Sequence, residues 1–162
     1  MEDIVSQTKA NYQRNKDKLA MLLSKTPDDK LNWAPSATAR SAVQLVAHCA
    51  DAVRNIHSML EGKPFEFNGT VELDSRLRES DRRYTSREEV SALLDQNSTA
   101  FLDFLDRLKP EQLDVIVTNF AGQFPMSVGI AFPGNHMEGH IAQLEYLQTI
   151  WGDVDWYSPL PS

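Results

Sequence analysis

The chain has 162 residues, 41% hydrophobic and 24% charged, a composition typical of a soluble globular protein. We expect a single domain over residues 1–162, large enough to bury a hydrophobic core. The formal net charge of −7 at pH 7 argues against general affinity for nucleic acid or anionic lipid, so no nucleic-acid or membrane partner is expected.

The cellular compartment of the protein is predicted from its cysteine content and from the first residues of the chain. Cys49 is the only cysteine, so no internal disulfide can form and a reducing compartment suits the protein. Residues 1–16 lack the apolar stretch of a signal peptide, and no apolar run is long enough to span a bilayer. These features predict a cytoplasmic protein.

Apolar periodicity predicts the first two helices. Residues 3–24 place an apolar stripe along one face of helix one. Ser41 and Gln44 form a capping-box pattern that opens helix two, which extends to about Glu61 and stops at Gly62. One face of helix two carries Leu45, His48, Ala52, Ile56 and Met59.

The stretch 63–84 is predicted to be a long loop with a short helical turn at most. Acidic residues interrupt the arginines of residues 76–87, which favours a solvated loop; the arginines are Arg76, Arg78, Arg82, Arg83 and Arg87. Thr85 and Glu88 form a second capping-box pattern, and helix three follows with the clearest apolar period in the chain, ending before Pro110.

The last third of the chain predicts a crossover and a fourth helix. Weak alternation around Ala121-Gly122 indicates a small hairpin or an extended crossover. Helix four is predicted over 127–151, with a kink at Pro133-Gly134. Its inner stripe would be Val128, Phe132, His136, His140, Gln143, Leu147 and Trp151. The predicted fold is all-α: a four-helix bundle with a long loop between helices two and three and a crossover before helix four.

Three histidines are the strongest chemical signal in the sequence. His136 and His140 are four residues apart, nearly on the same helix face and inside the predicted apolar stripe. His48 lies in the apolar stripe of helix two. Burying neighbouring histidines is costly unless a partner satisfies their ring nitrogens, and a metal ion does so. Three nitrogen ligands leave one coordination position open, as in catalytic zinc sites.

Each of these histidines also has an ordinary structural interpretation. His136 and His140 could be hydrogen-bonded core residues, and a lone histidine such as His48 is often simply satisfied in a core. His57 lies about 180° around the helix from His48 and is predicted to be a surface residue. Glu138 points away from both neighbouring histidines, so the likeness to the H-E-x-x-H metalloprotease motif is superficial.

Asp51 and Gln143 are the candidate catalytic residues. Asp51 follows His48 by one helical turn, where its carboxylate could orient a bound water or hold a proton; an exposed carboxylate is the alternative. Gln143 follows His140 by one turn and could donate to a ligand or form the polar edge of the site. Cys49 is turned 100° from His48 and is interpreted as a buried thiol rather than a nucleophile.

The order of these motifs resembles the DinB-like, YfiT-like superfamily. The likeness extends from helix one to the closing Trp151-Gly152-Asp153, and its motifs are Trp33-Ala34-Pro35, Ser41, L-V-A-H at 45–48, and H-x-x-x-H-x-x-Q at 136–143. The resemblance implies a four-helix bundle, usually a homodimer, that binds a divalent ion such as zinc or nickel through three histidines. By motif position these ligands are His48, His136 and His140.

The resemblance also implies a class of activity. Members include mycothiol-dependent isomerases and bacillithiol S-transferases, so the expected function is transfer of a low-molecular-weight thiol, as co-substrate, to an electrophilic small molecule. A metal at the histidines would stabilise the thiolate near neutral pH. Two alternatives remain open: a metal-dependent hydrolase that activates water, and a non-catalytic, stress-associated protein whose ion fixes the bundle. An enzyme would keep a pocket beside the metal.

Overall fold

The structure, a computed structural model, describes residues 3–63, 67, 69–119, 122–155 and 157. Its helices are α1 Ile4–Lys25, α2 Ala42–Leu60, α3 Thr70–Asp81, α4 Arg87–Arg107, α5 Met126–Gly129 and α6 Phe132–Ile150. Single 3₁₀ turns occupy Asp28–Lys30 and Pro110–Gln112. Strands β1 Ile116–Asn119 and β2 Gly122–Pro125 form an antiparallel hairpin. Within this described part, no helix is both long and apolar enough to cross a membrane.

The four long helices α1, α2, α4 and α6 pack around one hydrophobic core. The α2 helix packs against both α4 and α6, and α1 packs against α6 and α4. Tyr12, Val46, Phe101 and Leu144 are among the fully buried members of the core cluster. The predicted all-α bundle is therefore confirmed.

Two helix starts test the capping predictions. The Ser41 hydroxyl accepts a hydrogen bond from the Gln44 backbone N–H, and the Gln44 side chain accepts one from the Ser41 N–H, as predicted. The second box is one residue later than predicted, because Ser86 and Glu89 form it and not Thr85 and Glu88. Overlapping S/T-x-x-E patterns made the register ambiguous in the sequence.

The predicted long loop at 63–84 is wrong in its main part, since it contains the three-turn helix α3. Asp81 is the only fully buried residue of this helix, and its apolar face is short, with only Leu73 and Leu77 partly buried in the pocket wall. Polar contacts hold it instead: Asp81 accepts from the Arg40 side chain, and Ser80 donates to Asp51. Hydrophobic periodicity cannot reveal a helix that is docked by such contacts.

The arginines of this stretch are not uniformly solvated either. The Arg78 guanidinium donates to the Thr38 carbonyl oxygen and to Asp74. Arg87 lies in the first turn of α4 and donates to the Thr26 carbonyl oxygen at 2.6 Å. These side chains join α3 and α4 to the segments before α2.

The predicted crossover is a hairpin, with Asn119 paired to Gly122; residues 120 and 121 of its turn lie outside the described part of the chain. The prediction of one continuous, kinked helix four is wrong. It divides into α5 and α6, and Pro133 occupies the first turn of α6. Proline is tolerated there because an N–H in the first turn has no intrahelical partner.

The buried face of α6 is also displaced from the predicted stripe. Val128 and Gln143 are exposed, and the core-facing positions are Pro133, Gly134, Met137, Ile141, Leu144, Leu147 and Gln148. His136 and His140 are therefore partly buried at the edge of this face. Apolar residues occur around much of α6, so the sequence did not specify which side faces the bundle.

His57 is not the predicted surface residue, because α4 packs on that side of α2. Its side chain is 14% exposed, and its ring lies 4.9 Å from the Phe104 ring, centroid to centroid. Burial lowers the pKa of His57, against a smaller opposing effect of Glu61. The folded state therefore prefers the neutral imidazole.

Replacing His57 with leucine is expected to weaken the pH dependence of stability. Because the pKa of His57 is lower in the folded state, its contribution is fully present above its unfolded pKa of about 6.5 and is lost as the pH falls below it. Urea unfolding at pH 7 and pH 5 measures the effect. Glu61→Gln keeps the imidazole and removes the carboxylate that opposes the pKa shift, so the slope should be at least as steep as in the original chain. An unchanged slope in His57→Leu would contradict the assignment.

Candidate metal centre

The packing of α2 against α6 brings His48, His136 and His140 together. Their candidate ligand nitrogens all lie within 4.8 Å of one another. The His136 Nε2 atom is 3.2 Å from His48 Nε2. Two nitrogens bound to one tetrahedral zinc ion at 2.0–2.1 Å would be about 3.3 Å apart. The spacing of this pair therefore fits a shared ion.

Protonation states at the cluster favour metal binding. Burial lowers the pKa of His136 to about 4, and the neighbouring His140 and His48 add to the shift. Burial also lowers the pKa of His140, against an opposing hydrogen bond with Gln143. Both rings are consequently neutral near pH 7, and the neutral imidazole is the form that binds metal.

The Gln143 side chain orients His140. Its Oε1 atom is 2.9 Å from His140 Nδ1. With the proton on Nδ1, the ring donates to this oxygen and leaves the Nε2 lone pair available for an ion. The structure thus places Gln143 behind a histidine, at an exposed position, and its predicted catalytic role stays a prediction.

Asp81 and Arg40 stand behind His48 in a similar way, and sequence reasoning missed both. His48 Nδ1 lies 3.6 Å from Asp81 Oδ2, and the Arg40 Nε–H donates to the same oxygen at 2.7 Å. Among the described residues, His48 Nδ1 and Asp81 Oδ1 are buried without a hydrogen-bond partner. A carboxylate in this position orients a metal-binding histidine and raises its basicity. This arrangement could not be predicted from local sequence patterns, because Arg40 and Asp81 are distant in sequence.

Asp51 is buried, so the alternative of an exposed carboxylate is wrong. Its Oδ2 accepts a hydrogen bond from the Ser80 hydroxyl at 2.6 Å, and the Arg54 guanidinium lies 3.0 Å from Oδ1. These contacts tie α3 to α2, and the catalytic role of Asp51 stays a prediction. Cys49 is a buried free thiol as interpreted, and burial raises its pKa.

A pocket of about 260 Å³ adjoins the histidine cluster. The α2 helix supplies half of its lining residues, α3 closes another side, and α6 and the hairpin contribute one residue each. Its lining is largely apolar and consists of His48, Ala52, Asn55, Ile56, Met59, Phe67, Leu73, Leu77, Asn119 and His136. The helix that the sequence reading missed therefore helps to form this pocket.

Comparison with known proteins gives a family match and several fold matches. The model of the DinB superfamily matches residues 11–144. No protein with a curated description matches the chain significantly in sequence. A DinB-like protein from Bacillus subtilis has a similar structure, with a TM-score of 0.65, 19% identity and coverage of 96% of both chains.

Two further solved structures share the fold. The colibactin self-resistance protein ClbS, in complex with double-stranded DNA, has a TM-score of 0.69 and 16% identity, covering 90% of this chain and 95% of its own. A mycothiol-dependent maleylpyruvate isomerase has a TM-score of 0.67 and 15% identity, covering 99% of this chain and 68% of its own. At these identities the likeness is one of fold.

The ClbS complex overturns one expectation. We expected no nucleic-acid partner because of the negative net charge, and this exclusion is wrong, since a protein of the same fold was crystallised with double-stranded DNA. Net charge is a property of the whole chain, whereas nucleic-acid binding depends on the local distribution of charge. The predicted homodimer, the cytoplasmic location and the single-domain organisation stay predictions.

Proposed function

Because this chain belongs to the DinB superfamily, we propose that it is a metal-dependent enzyme that transfers a low-molecular-weight thiol to an electrophilic small molecule. The observation that carries the proposal is the apolar pocket lined by two of the three histidines, His48 and His136. An ion that only fixed the bundle would need no such pocket beside it. The fold shared with a mycothiol-dependent enzyme supports a thiol as the co-substrate.

The residues of the cluster fit a divalent ion. His48, His136 and His140 would hold it through neutral imidazoles, which suit zinc and nickel. When bound, such an ion supplies a positive charge that stabilises a thiolate near neutral pH. Asp81 and Gln143 keep the rings of His48 and His140 in the required orientation.

The pocket walls provide the rest of the proposed mechanism. They hold the electrophile beside the histidines and exclude water, which would otherwise compete with the thiol. In the transfer, the thiol sulfur bonds to the electrophilic carbon, the thiol proton is released, and the leaving group departs with the electron pair of its former bond. Asp51 is not among the residues that line the pocket, and it stays the sequence-based candidate for accepting the released proton.

We expect thiol conjugation by the zinc- or nickel-loaded protein. Mycothiol and bacillithiol would each be mixed with 1-chloro-2,4-dinitrobenzene, and mass spectrometry would measure the thioether that forms as chloride and a proton leave. Asp51→Asn should lower the rate about 10²-fold or more if Asp51 accepts the proton. Metal-free protein and the His140→Ala variant serve as controls and should show only the uncatalysed rate.

Other outcomes of the same assay would contradict the proposal. Turnover of 4-nitrophenyl acetate without conjugate would favour a hydrolase. A fully loaded protein that turns over neither substrate would favour a non-catalytic metal-binding protein. Conjugation that persists in His140→Ala would separate the activity from the histidine cluster.

A further inference from the structure

Within the part of the chain that the structure describes, the lining of the pocket beside the histidines contains no lysine, arginine, aspartate or glutamate side chain. The undescribed residues 64–66, 68, 120 and 121 include no lysine or arginine in the sequence. A carboxylate that enters such surroundings loses its hydration and finds no cation in the walls. Apart from an ion held by the histidines, the protein walls of the pocket therefore disfavour anionic groups.

Two arginines of the neighbouring segments do not alter this conclusion. Arg40 and Arg78 line a separate groove together with Gln143 and Tyr146. The Arg40 Nε–H is already donated to the buried Asp81, and Arg78 donates to Asp74 and to a backbone carbonyl. Neither arginine is among the lining residues of the histidine pocket.

The pocket is elongated along α2. His48, Ala52, Asn55, Ile56 and Met59 share one face of this helix and line the wall in that order. At 1.5 Å of rise per residue, Asn55 lies about 10 Å along the helix axis from His48. A ligand that reaches both residues must be extended.

On the wall formed by α2, Asn55 is the polar residue at the end away from the histidines. None of the described residues makes a hydrogen bond to its side chain, which is partly buried. The Asn119 amide, in contrast, donates to Met59 Sδ at 2.9 Å. An amide offers one acceptor and two donors, so Asn55 suits a carbonyl or hydroxyl group without requiring charge.

We propose that the pocket selects an uncharged, extended and mainly apolar molecule, with its reacting atom beside His48 and His136 and a neutral hydrogen-bonding group near Asn55. This inference names the class of electrophile and rests on the proposed function. It concerns binding, however, and can be tested whether or not thiol transfer occurs.

A matched pair of probes tests the selectivity. 4-Phenyl-2-butanone and 3-phenylpropionate have nearly the same shape, but only the second carries a negative charge near pH 7. NMR titration of the isotope-labelled full chain, both metal-free and zinc-loaded, would measure both affinities. We expect the metal-free protein to bind the ketone about tenfold more tightly or better. Equal or tighter binding of the carboxylate to that form, or no binding of the ketone, would overturn the proposal.

Variants locate the effect in the pocket. Leu77→Trp fills the cavity and should weaken ketone binding about tenfold. Asn55→Lys adds a cation to the wall and should reverse the preference toward the carboxylate. Ser75→Lys makes the same change in net charge at an exposed position of α3 and should preserve the preference of the original chain. A reversal in Ser75→Lys as well would show that net charge alone decides binding.

Discussion

The unaltered protein is expected to carry about one divalent ion per chain, and the His140→Ala variant is expected to lose it. His140 supplies one of three neighbouring nitrogens, and its ring is already oriented by Gln143. Its removal leaves two protein ligands for the ion. The loss of affinity should therefore exceed the roughly 10–100-fold that follows removal of an outer-shell partner.

Metal content should be measured by mass spectrometry on protein purified without a nickel affinity column. His48→Ala should behave like His140→Ala, because both residues belong to the same cluster. His57→Leu is the matched control, since it removes a histidine of α2 that lies outside the cluster and should keep the ion. If the protein binds no metal and cannot be loaded with it, the three histidines only pack in the core. The proposed function would then fail.

Replacing Asp81 with asparagine should weaken metal binding by roughly 10–100-fold. The carboxylate lies 3.6 Å from His48 Nδ1, where it favours a proton on Nδ1 and leaves Nε2 for the ion. An asparagine of similar shape lacks the negative charge that attracts the proton on Nδ1. Zinc affinity would be measured by competition with a chelator, and the absorption spectrum of the cobalt(II) form would report the coordination geometry.

These measurements distinguish positioning from general stability. Asp74→Asn removes an exposed carboxylate of the same helix, one paired with Arg78, and should leave zinc affinity unchanged. A lower melting temperature of Asp81→Asn with unaltered affinity and cobalt spectrum would show that Asp81 only docks α3. A weaker affinity and a shifted spectrum in a fully folded variant would support the positioning role.

The interactions that local sequence encodes were predicted well. Helix caps, stop signals and the apolar periods of α1, α2 and α4 depend on residues within about one helical turn of each other. The pairing of His136 with His140 is local in the same sense, since four residues return nearly to the same helix face. The resemblance to a known family then joined His48 to this pair across 88 residues.

By itself, then, the sequence determined the all-α bundle and the pairing of His136 with His140, because periodicity and spacing along a helix express both; the resemblance added His48. Only the tertiary structure decided the rest. The α3 helix is docked through Asp81 and Ser80, whose partners Arg40 and Asp51 lie 41 and 29 residues away. The pocket exists because α2, α3, α6 and the hairpin meet at one place. Such polar contacts and cavities arise from packing between distant segments, and no local pattern records them.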